Sequence, residues 1–570
     1  MSSELSDRPT QDNQYSRWRR DLIAKLLDDY DDGCRESEVS LRDFADSQLL
    51  PKSTLHDWVQ RRGNLNAPSR AVDFFESPEG LAALHAIVLA AHLVFSFLGH
   101  AGIRPISRFL KLAGLDIFVA TSYGAQRAVA SAMTTQILAF EAEQRPKLAA
   151  AMPGRRLTVC EDETFPKGSI CLVARDPVTG FLLTETLEEK RDTDTWDAVL
   201  KEATADLNIE IIQQTSDEAS ALLSHARHLK AHHSPDLFHI LRDINKATVL
   251  PLKRRHEAAE AALAKAAEET KRHRAEEAAY RRGPRPVGRP PDFEKRIARA
   301  QVVEVRAREA LAAAESFIET RQAAVEGISL AYHPFDLDSG AIRSAEAACA
   351  ALTGHFDSLD ALALEAELSQ RSRKLLAKSR RRLPQMVETI RFFWGEVELR
   401  LSNETWAAPV VAAFRERLLP AAYLHRVAGR AGGAEERHRL LERAEELVAP
   451  LREPGGVLSG LAPEELVALE AAAFDCADVF QRSSSCVEGR NGALALDEHA
   501  RRGLPARRLQ ALTVVSNYAV PNAEGTTAAE RFFGQSHDDL FEWLMATMPL
   551  PARPAQKRPR PPKQTLLEAA

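Results

Sequence analysis

Apolar positions change period along the chain, and each change marks a different kind of element. Between Arg156 and Ala247 they fall in short β-rich runs. Leu157, Val159 and Cys160 lead into a strand that closes in acid, Glu161-Asp162-Glu163. Ile170 to Ala174 is a second run, Asp176-Pro177-Val178-Thr179-Gly180 a turn, and Phe181 to Leu187 a third run. From Thr195 to Leu207 the period becomes helical, with Trp196, Val199, Leu200, Ala203 and Leu207 on one side. Ile209, Ile211 and Ile212 make a fourth strand ending at Thr215-Ser216-Asp217, and a helix follows from Glu218. The predicted order is a three-stranded meander, a helix, a strand and a helix.

Helical periods dominate on both sides of this segment. Trp18, Leu22, Ile23, Leu26 and Leu27 give a first amphipathic helix. Ser40 caps a short second one, and Pro51 to Arg62 forms a third with Leu55, Trp58 and Val59 on its inner side. Helix, tight turn, helix is the spacing of a helix-turn-helix, in which Lys52, Ser53, Thr54, His56, Gln60 and Arg61 would face a DNA major groove. A plain three-helix bundle has the same pattern. Ile103 to Val129, around Gly114, fits either a second such pair or a structural bundle that joins this region to the core.

Leu81 to Leu98 is the longest apolar run. It contains His85, His92 and Ser96, and it reads as a core helix, so no membrane partner is expected. The polar N-terminus gives no signal peptide.

After the strands, Lys253–Arg282 and Phe293 to about Ile328 are charged, alanine-rich helices. Gly283-Pro-Arg-Pro-Val-Gly-Arg-Pro-Pro291 separates them. They predict a helical hairpin with coiled-coil-like pairing. Gly288-Arg289-Pro290 reads either as a plain solvated turn or, by its similarity to an AT-hook, as an element that would put Arg289 in a minor groove. Arg371, Arg373, Lys374, Lys378, Arg380, Arg381 and Arg382 form a basic run, suited either to a solvated helix face or to phosphate contact.

The resulting division is a helix-turn-helix region at 1–66 and a helical linker or second DNA-binding region at 67–152. The first part of the core spans 153–250, an all-helical insertion 251–480, the second part of the core 481–550, and a disordered basic tail 551–570. Net charge is −6, which by itself does not mark a nucleic-acid binder; local patches decide that. Six scattered cysteines without a C-x-x-C pair argue against a zinc site or a disulfide framework and fit a reducing cytosol.

Asp162 on the first strand and Asp217 at the end of the fourth are candidates for one site, because these two strands can be neighbours. Adjacent carboxylates repel and are tolerated where a divalent cation neutralises them. This order of elements resembles the ribonuclease H-like core of DDE transposases. Asp236-Leu-Phe-His239 resembles the Asp/Cys-x-x-His element after the second aspartate of hAT-type and related transposases. Ser483-Ser-Ser-Cys-Val-Glu488-Gly-Arg-Asn491 resembles the lead-in to their final glutamate. Leu512–Asn517 and Gly525–Gly534 resemble the closing segment of bacterial transposases.

The resemblance implies an α/β ribonuclease H-like core, a mixed sheet with helices on both faces. A large all-α insertion would interrupt it, N-terminal helix-turn-helix helices would precede it, and the whole would be mostly helical. It implies DNA cleavage and strand transfer at transposon ends, with Asp162, Asp217 and Glu488 as catalytic residues holding two Mg²⁺ ions, Mn²⁺ substituting. Asp236 and His239 would support them. The implied partners are double-stranded DNA, as terminal inverted repeats and target, and further copies of the chain in a dimer or larger assembly. The implied location is the bacterial cytoplasm, on the nucleoid when DNA is bound. Two other readings stay open: a related metal-dependent nuclease or integrase that does not transpose, and a domesticated DNA-binding protein with an inactive core.

Overall fold

A computed structural model describes residues 20–554, apart from 38, 61–70, 72–73, 76, 167, 285–286 and 502. Arg61, residues 1–19 and the tail from 555 onward therefore lie outside the described residues. The chain is mostly helical with one small mixed sheet. It forms two compact units, Pro153–Asn491 and a second that joins Met1–Met152 to Gly492–Ala570.

In the Pro153–Asn491 unit, five strands are arranged in the order β3-β2-β1-β4-β5. They are β1 (Arg155–Thr164), β2 (Ile170–Arg175), β3 (Leu182–Glu188), β4 (Ile209–Ser216) and β5 (His232–Pro235). β1, β2 and β3 form an antiparallel meander, whereas β4 lies parallel to β1, and β5 parallel to β4. The meander turns where the sequence predicts. Asp176 accepts hydrogen bonds from Val178 N (3.0 Å) and Thr179 Oγ1 (2.6 Å), and Gly180 takes φ 79°. In β2, Cys171 to Ala174 are buried on both sides, which is why this run does not alternate.

β5 is absent from the sequence reading. His-His-Ser-Pro has no apolar alternation, and tertiary partners hold it instead. The His232 ring stacks on Phe392 at 4.5 Å, and its Nε2 lies 3.0 Å from Thr389 Oγ1.

The helix expected to begin at Lys253 begins at Leu237 and runs unbroken to Arg282, with Pro251 inside it. Its partner, Phe293–Ala331, completes the expected hairpin. A continuous apolar core runs from Leu237 through Tyr332, Phe356, Phe393 and Phe414 to Phe480. The helical region that follows the sheet, taken as the insertion, shares that core from Leu237 on. Its first helix is capped by Asp236 at the end of β5 and carries the chain straight out of the sheet.

In the other unit, helices Arg20–Ser37, Leu41–Ser47 and Lys52–Gln60 close on Ile23, Leu27, Phe44, Leu55 and Trp58. The apolar run forms helix Pro78–Ala91, continued by a wider-wound turn His92–Leu98. It is the single helix among the described residues that is long and apolar enough to cross a membrane, and half of its apolar window is buried. The His92 Nε2 lies 2.8 Å from Gln126 Oε1. Helix Tyr123–Ala151 packs against helices Ala506–Tyr518, Ala528–Phe533 and Leu540–Thr547, with Phe140 edge-on to Tyr518 and Trp543. Residues 481–550 therefore do not all complete the sheet-bearing unit; the division falls at Asn491, inside helix Ser485–Arg501.

Candidate functional site

Register decides which side chains meet. In the β1–β4 pairing Cys160 lies opposite Thr215, so Asp162 and Asp217 each stand two residues further along neighbouring parallel strands. Side chains alternate across a strand, which puts Thr158, Cys160 and Asp162 on one face together with Gln213 and Thr215. Asp217 follows directly after the last residue of β4. Glu161 and Glu163 point to the other face.

The chain returning from the insertion is stitched across the first face. Thr158 Oγ1 donates to Val479 O (2.9 Å), and Cys160 Sγ to Ser483 O (3.6 Å). Gln213, Thr215 and Ser234 all donate to Gln481 O, at 3.0 to 3.1 Å. Leu237 N donates to Arg482 O (2.9 Å), and Ser484 Oγ to Asp236 Oδ2 (2.6 Å). The strand side chains thus satisfy the backbone of an irregular buried segment, which would otherwise lose hydrogen bonds on leaving water. They also fix where the next helix begins.

That helix, Ser485–Arg501, carries Glu488 in its first turn, as its sequence predicts. Arg175 Nη1 donates to Cys486 O (2.6 Å), and Arg490 forms a two-pronged pair with the buried Glu185 of β3 (2.8 and 2.7 Å). Asn491 Nδ2 donates to Asp162 Oδ2 at 3.0 Å. Residues three apart on a helix share a side, so this bond turns the Glu488 side of the helix toward Asp162.

Asp162 is 9% exposed. Burial, aided by the Glu488 and Asp217 carboxylates, pushes its carboxyl up to about 7; the Glu163 backbone N–H and His239 pull the other way. Asp162 thus senses both of the other sequence-predicted acids and His239. Three segments far apart in sequence converge on it.

Asp236 and His239 have a different part. The Asp236 carboxylate accepts from Phe238 N (2.8 Å), Ser484 Oγ (2.6 Å) and His239 Nδ1 (2.6 Å). Burial opposes its charge, but the His239 and Ser484 bonds outweigh burial and hold its carboxyl below the usual range. Fully occupied, it latches β5, the insertion's first helix and the Ser483–Ser485 segment together. Burial pushes the His239 imidazole down, and the bond to Asp236 more than restores it, so its pKa is raised.

Sequence reasoning placed Ser484 and Asn491 in the Ser483–Asn491 motif without giving them a role, and it did not find the pair of Arg490 with Glu185. The i, i+3 spacing of Glu488 and Asn491 was the available signal for Asn491; the other pairs join residues hundreds of positions apart.

Among the described residues no three His, Cys, Asp or Glu side chains are drawn together tightly enough to cage an ion. The donor set nonetheless fits a hard divalent cation in kind. It holds three carboxylates and a buried Asn491 Oδ1 that has no hydrogen-bond partner among the described residues, and none of the described cations is ion-paired to Asp162.

Of the groove-reading candidates, Lys52, Ser53, His56 and Gln60 are exposed and Thr54 half-buried, while Leu55 and Trp58 face the core. Arg289 is exposed beside Gly288, at φ 127°, in the turn of the hairpin. Glu530 in the closing segment is engaged in capping Thr527, whose N it accepts at 2.7 Å.

Residues 414–560 match a family of unknown function, DUF6399. The match takes in the last helices of the insertion, the Glu488 helix and the C-terminal helices. No curated protein matches the chain.

Proposed function

We propose that this chain is a DDE transposase with a ribonuclease H-like core, which cleaves DNA at transposon ends and transfers the freed strands. The observation that carries the reading is the convergence on Asp162: two acids at the ends of neighbouring parallel strands and a third delivered by a helix after an insertion. The sheet order and its mixed pairing agree with such a core. So do the exposed Lys52, Ser53, His56 and Gln60 on the second helix of a helix-turn-helix.

Asp162, Asp217 and Glu488 would hold two Mg²⁺ ions, with Asn491 Oδ1 as a neutral donor. Bound there, the ions supply an activated oxygen nucleophile and stabilise the leaving oxygen. The protein's own part is positioning. The Asp236 latch and the Arg490–Glu185 pair set the Glu488 helix, Asn491 orients the Asp162 carboxylate, and His239, held by Asp236, lies near enough to act on it.

The test is incubation of the full chain with duplex DNA carrying the terminal inverted repeats of its own element, in Mg²⁺, Mn²⁺ or EDTA. Metal-dependent nicking at the repeat boundary followed by strand joining is expected. Nicking without joining would favour the non-transposing nuclease. Binding without any metal-dependent cut would favour an inactive core.

A further inference from the structure

We propose that helix Gln370–Arg380 of the insertion is a track for the phosphate backbone of duplex DNA that leads to the carboxylates. The inference rests on the transposase reading and gives it a path for its substrate.

The helix bears no acid, and Ser372, Leu376 and Ser379 bury one side of it. At 100° per residue, Arg371, Lys374, Lys378 and Arg381 fall on one narrow stripe to the side of that seam. All four are exposed. Neighbouring acids take up only part of the positive charge. Lys378 pairs with Asp243 (3.0 Å), Arg380 with Asp357 and Asp360 (both 2.6 Å), and Arg382 with Glu218 (2.6 Å). Among the described residues Arg371, Lys374 and Arg381 have no ion pair. Three like charges on one helix side repel, and no ion pair among the described residues offsets them; a polyanion would.

The direction of the stripe ties it to the site. Arg382, next to Arg381, is buried and pairs with Glu218, and Glu218 follows Asp217. The C-terminal end of the stripe therefore adjoins the segment that carries one of the three carboxylates. From Arg371 to Arg381 the helix rises about 15 Å, or about four steps of a DNA strand at ~3.4 Å each. A duplex lying along it would have several phosphates neutralised on the approach to Asp217.

The test compares wild-type full chain with Arg371→Gln/Lys374→Gln/Arg381→Gln and with the charge-keeping Arg371→Lys/Arg381→Lys. Binding to a 30-bp duplex without repeat sequence is followed by fluorescence anisotropy from 50 to 200 mM salt. Each lost phosphate contact lowers the log–log salt slope by about 0.9. The triple variant is expected to lose about 2 to 3 from the slope, and the lysine variant to keep it. A triple-variant slope equal to wild type, with a cooperative melt showing that it folds, would overturn the track. A loss seen with duplex RNA but not with DNA would overturn the assignment to DNA. Because the readout is binding, it is independent of cleavage. A wild type that never cuts would sink the transposase reading and leave the slope to decide the track.

Discussion

Glu161 and Asp162 are adjacent on one strand, both buried and both acidic, and they have opposite fates on the two faces of the sheet. On its face Glu161 is fully enclosed and neutralised from within. Gln214 Nε2 donates to its Oε2, and His225 Nε2 lies 3.5 Å from its Oε1. His225 in turn bonds through Nδ1 to Asp197 (2.5 Å), which also takes His228 (2.6 Å), while Trp196 lies beside the His225 ring. On the other face Asp162 receives neutral hydrogen bonds from Asn491 and the Glu163 backbone, the fields of two more carboxylates, and the weaker opposing field of His239. A buried carboxylate with a cationic partner is structure. A buried carboxylate facing further carboxylates costs stability, and such groups cluster at functional sites.

The comparison breaks most visibly in activity. Asp162→Asn, Asp217→Asn and Glu488→Gln should each lower metal-dependent DNA cleavage by roughly a thousandfold, the several kcal/mol that bound cations contribute. DNA binding should remain. Asp162→Asn should also stabilise the apo protein at pH 7 to 8. Its carboxyl is shifted from 3.8 to about 7 in the folded state, so the fold holds a proton there that the unfolded chain releases, and stability falls as pH rises from about 4 to about 7. Removing the ionisable group removes that loss, on the order of a few kcal/mol. An Asp162→Asn protein that melts lower than wild type at pH 8, in chelator, would place Asp162 on the structural side of the comparison.

Glu161→Gln is expected to do the reverse. It leaves His225 without its buried counter-charge, and breaking one partner of such a pair costs about 3–5 kcal/mol. Chemical denaturation would read this as a lower midpoint at unchanged slope. The substitution is therefore a poor control for catalysis, although its sequence neighbourhood makes it look like one. A Glu161→Gln protein of wild-type stability would dissolve the contrast between the faces.

Much of this was legible along the chain. The meander, the fourth strand, the acids at strand ends and Glu488 in a first turn all follow from local pattern, because period and turn chemistry act over a few residues. Which of three consecutive acids faces the site follows from alternation alone. What was not legible is non-local. β5 has no apolar alternation and exists through Phe392, Thr389 and Gln481. The latch from Asp236 to Ser484 and the pair Arg490–Glu185 join segments on either side of the insertion. The helix expected from Lys253 begins earlier, at Leu237, where non-local packing against the hairpin partner holds it. That Glu161 is fully enclosed follows from the helix carrying His225, which local pattern does not bring to it.

A smaller effect sharpens the first face. Asn491 orients Asp162 and leaves its own Oδ1 without a hydrogen-bond partner. Asn491→Ala should weaken the apparent affinity for Mg²⁺ by about 10–100-fold, as loss of an orienting partner does, with cleavage restored at high metal. Cleavage lost at all metal concentrations would make Asn491 indispensable to the chemistry itself; unchanged metal dependence would reduce it to packing.

The smallest expected effect separates the faces by pH. Burial pushes the His225 imidazole down, but Glu161 and Asp197 together more than offset this, and its pKa is raised above 6.5. Its charged form therefore stabilises the fold fully below about 6.5, and that contribution is lost as pH rises through the folded value. Asp162 also loses stability with rising pH, so the two slopes share a sign and differ in place: about 4 to 7 for Asp162, above 6.5 for His225. Denaturation midpoints across pH 4 to 9 should show both in the wild type. Asp162→Asn should flatten the acid-side slope alone. His225→Gln should lower the midpoint below pH 6.5 and flatten the slope above it, because a neutral amide can bond Asp197 but cannot balance Glu161. If His225→Gln left the alkaline slope intact, the charge that neutralises Glu161 would have to come from elsewhere, and the internal compensation argued for that face would fail.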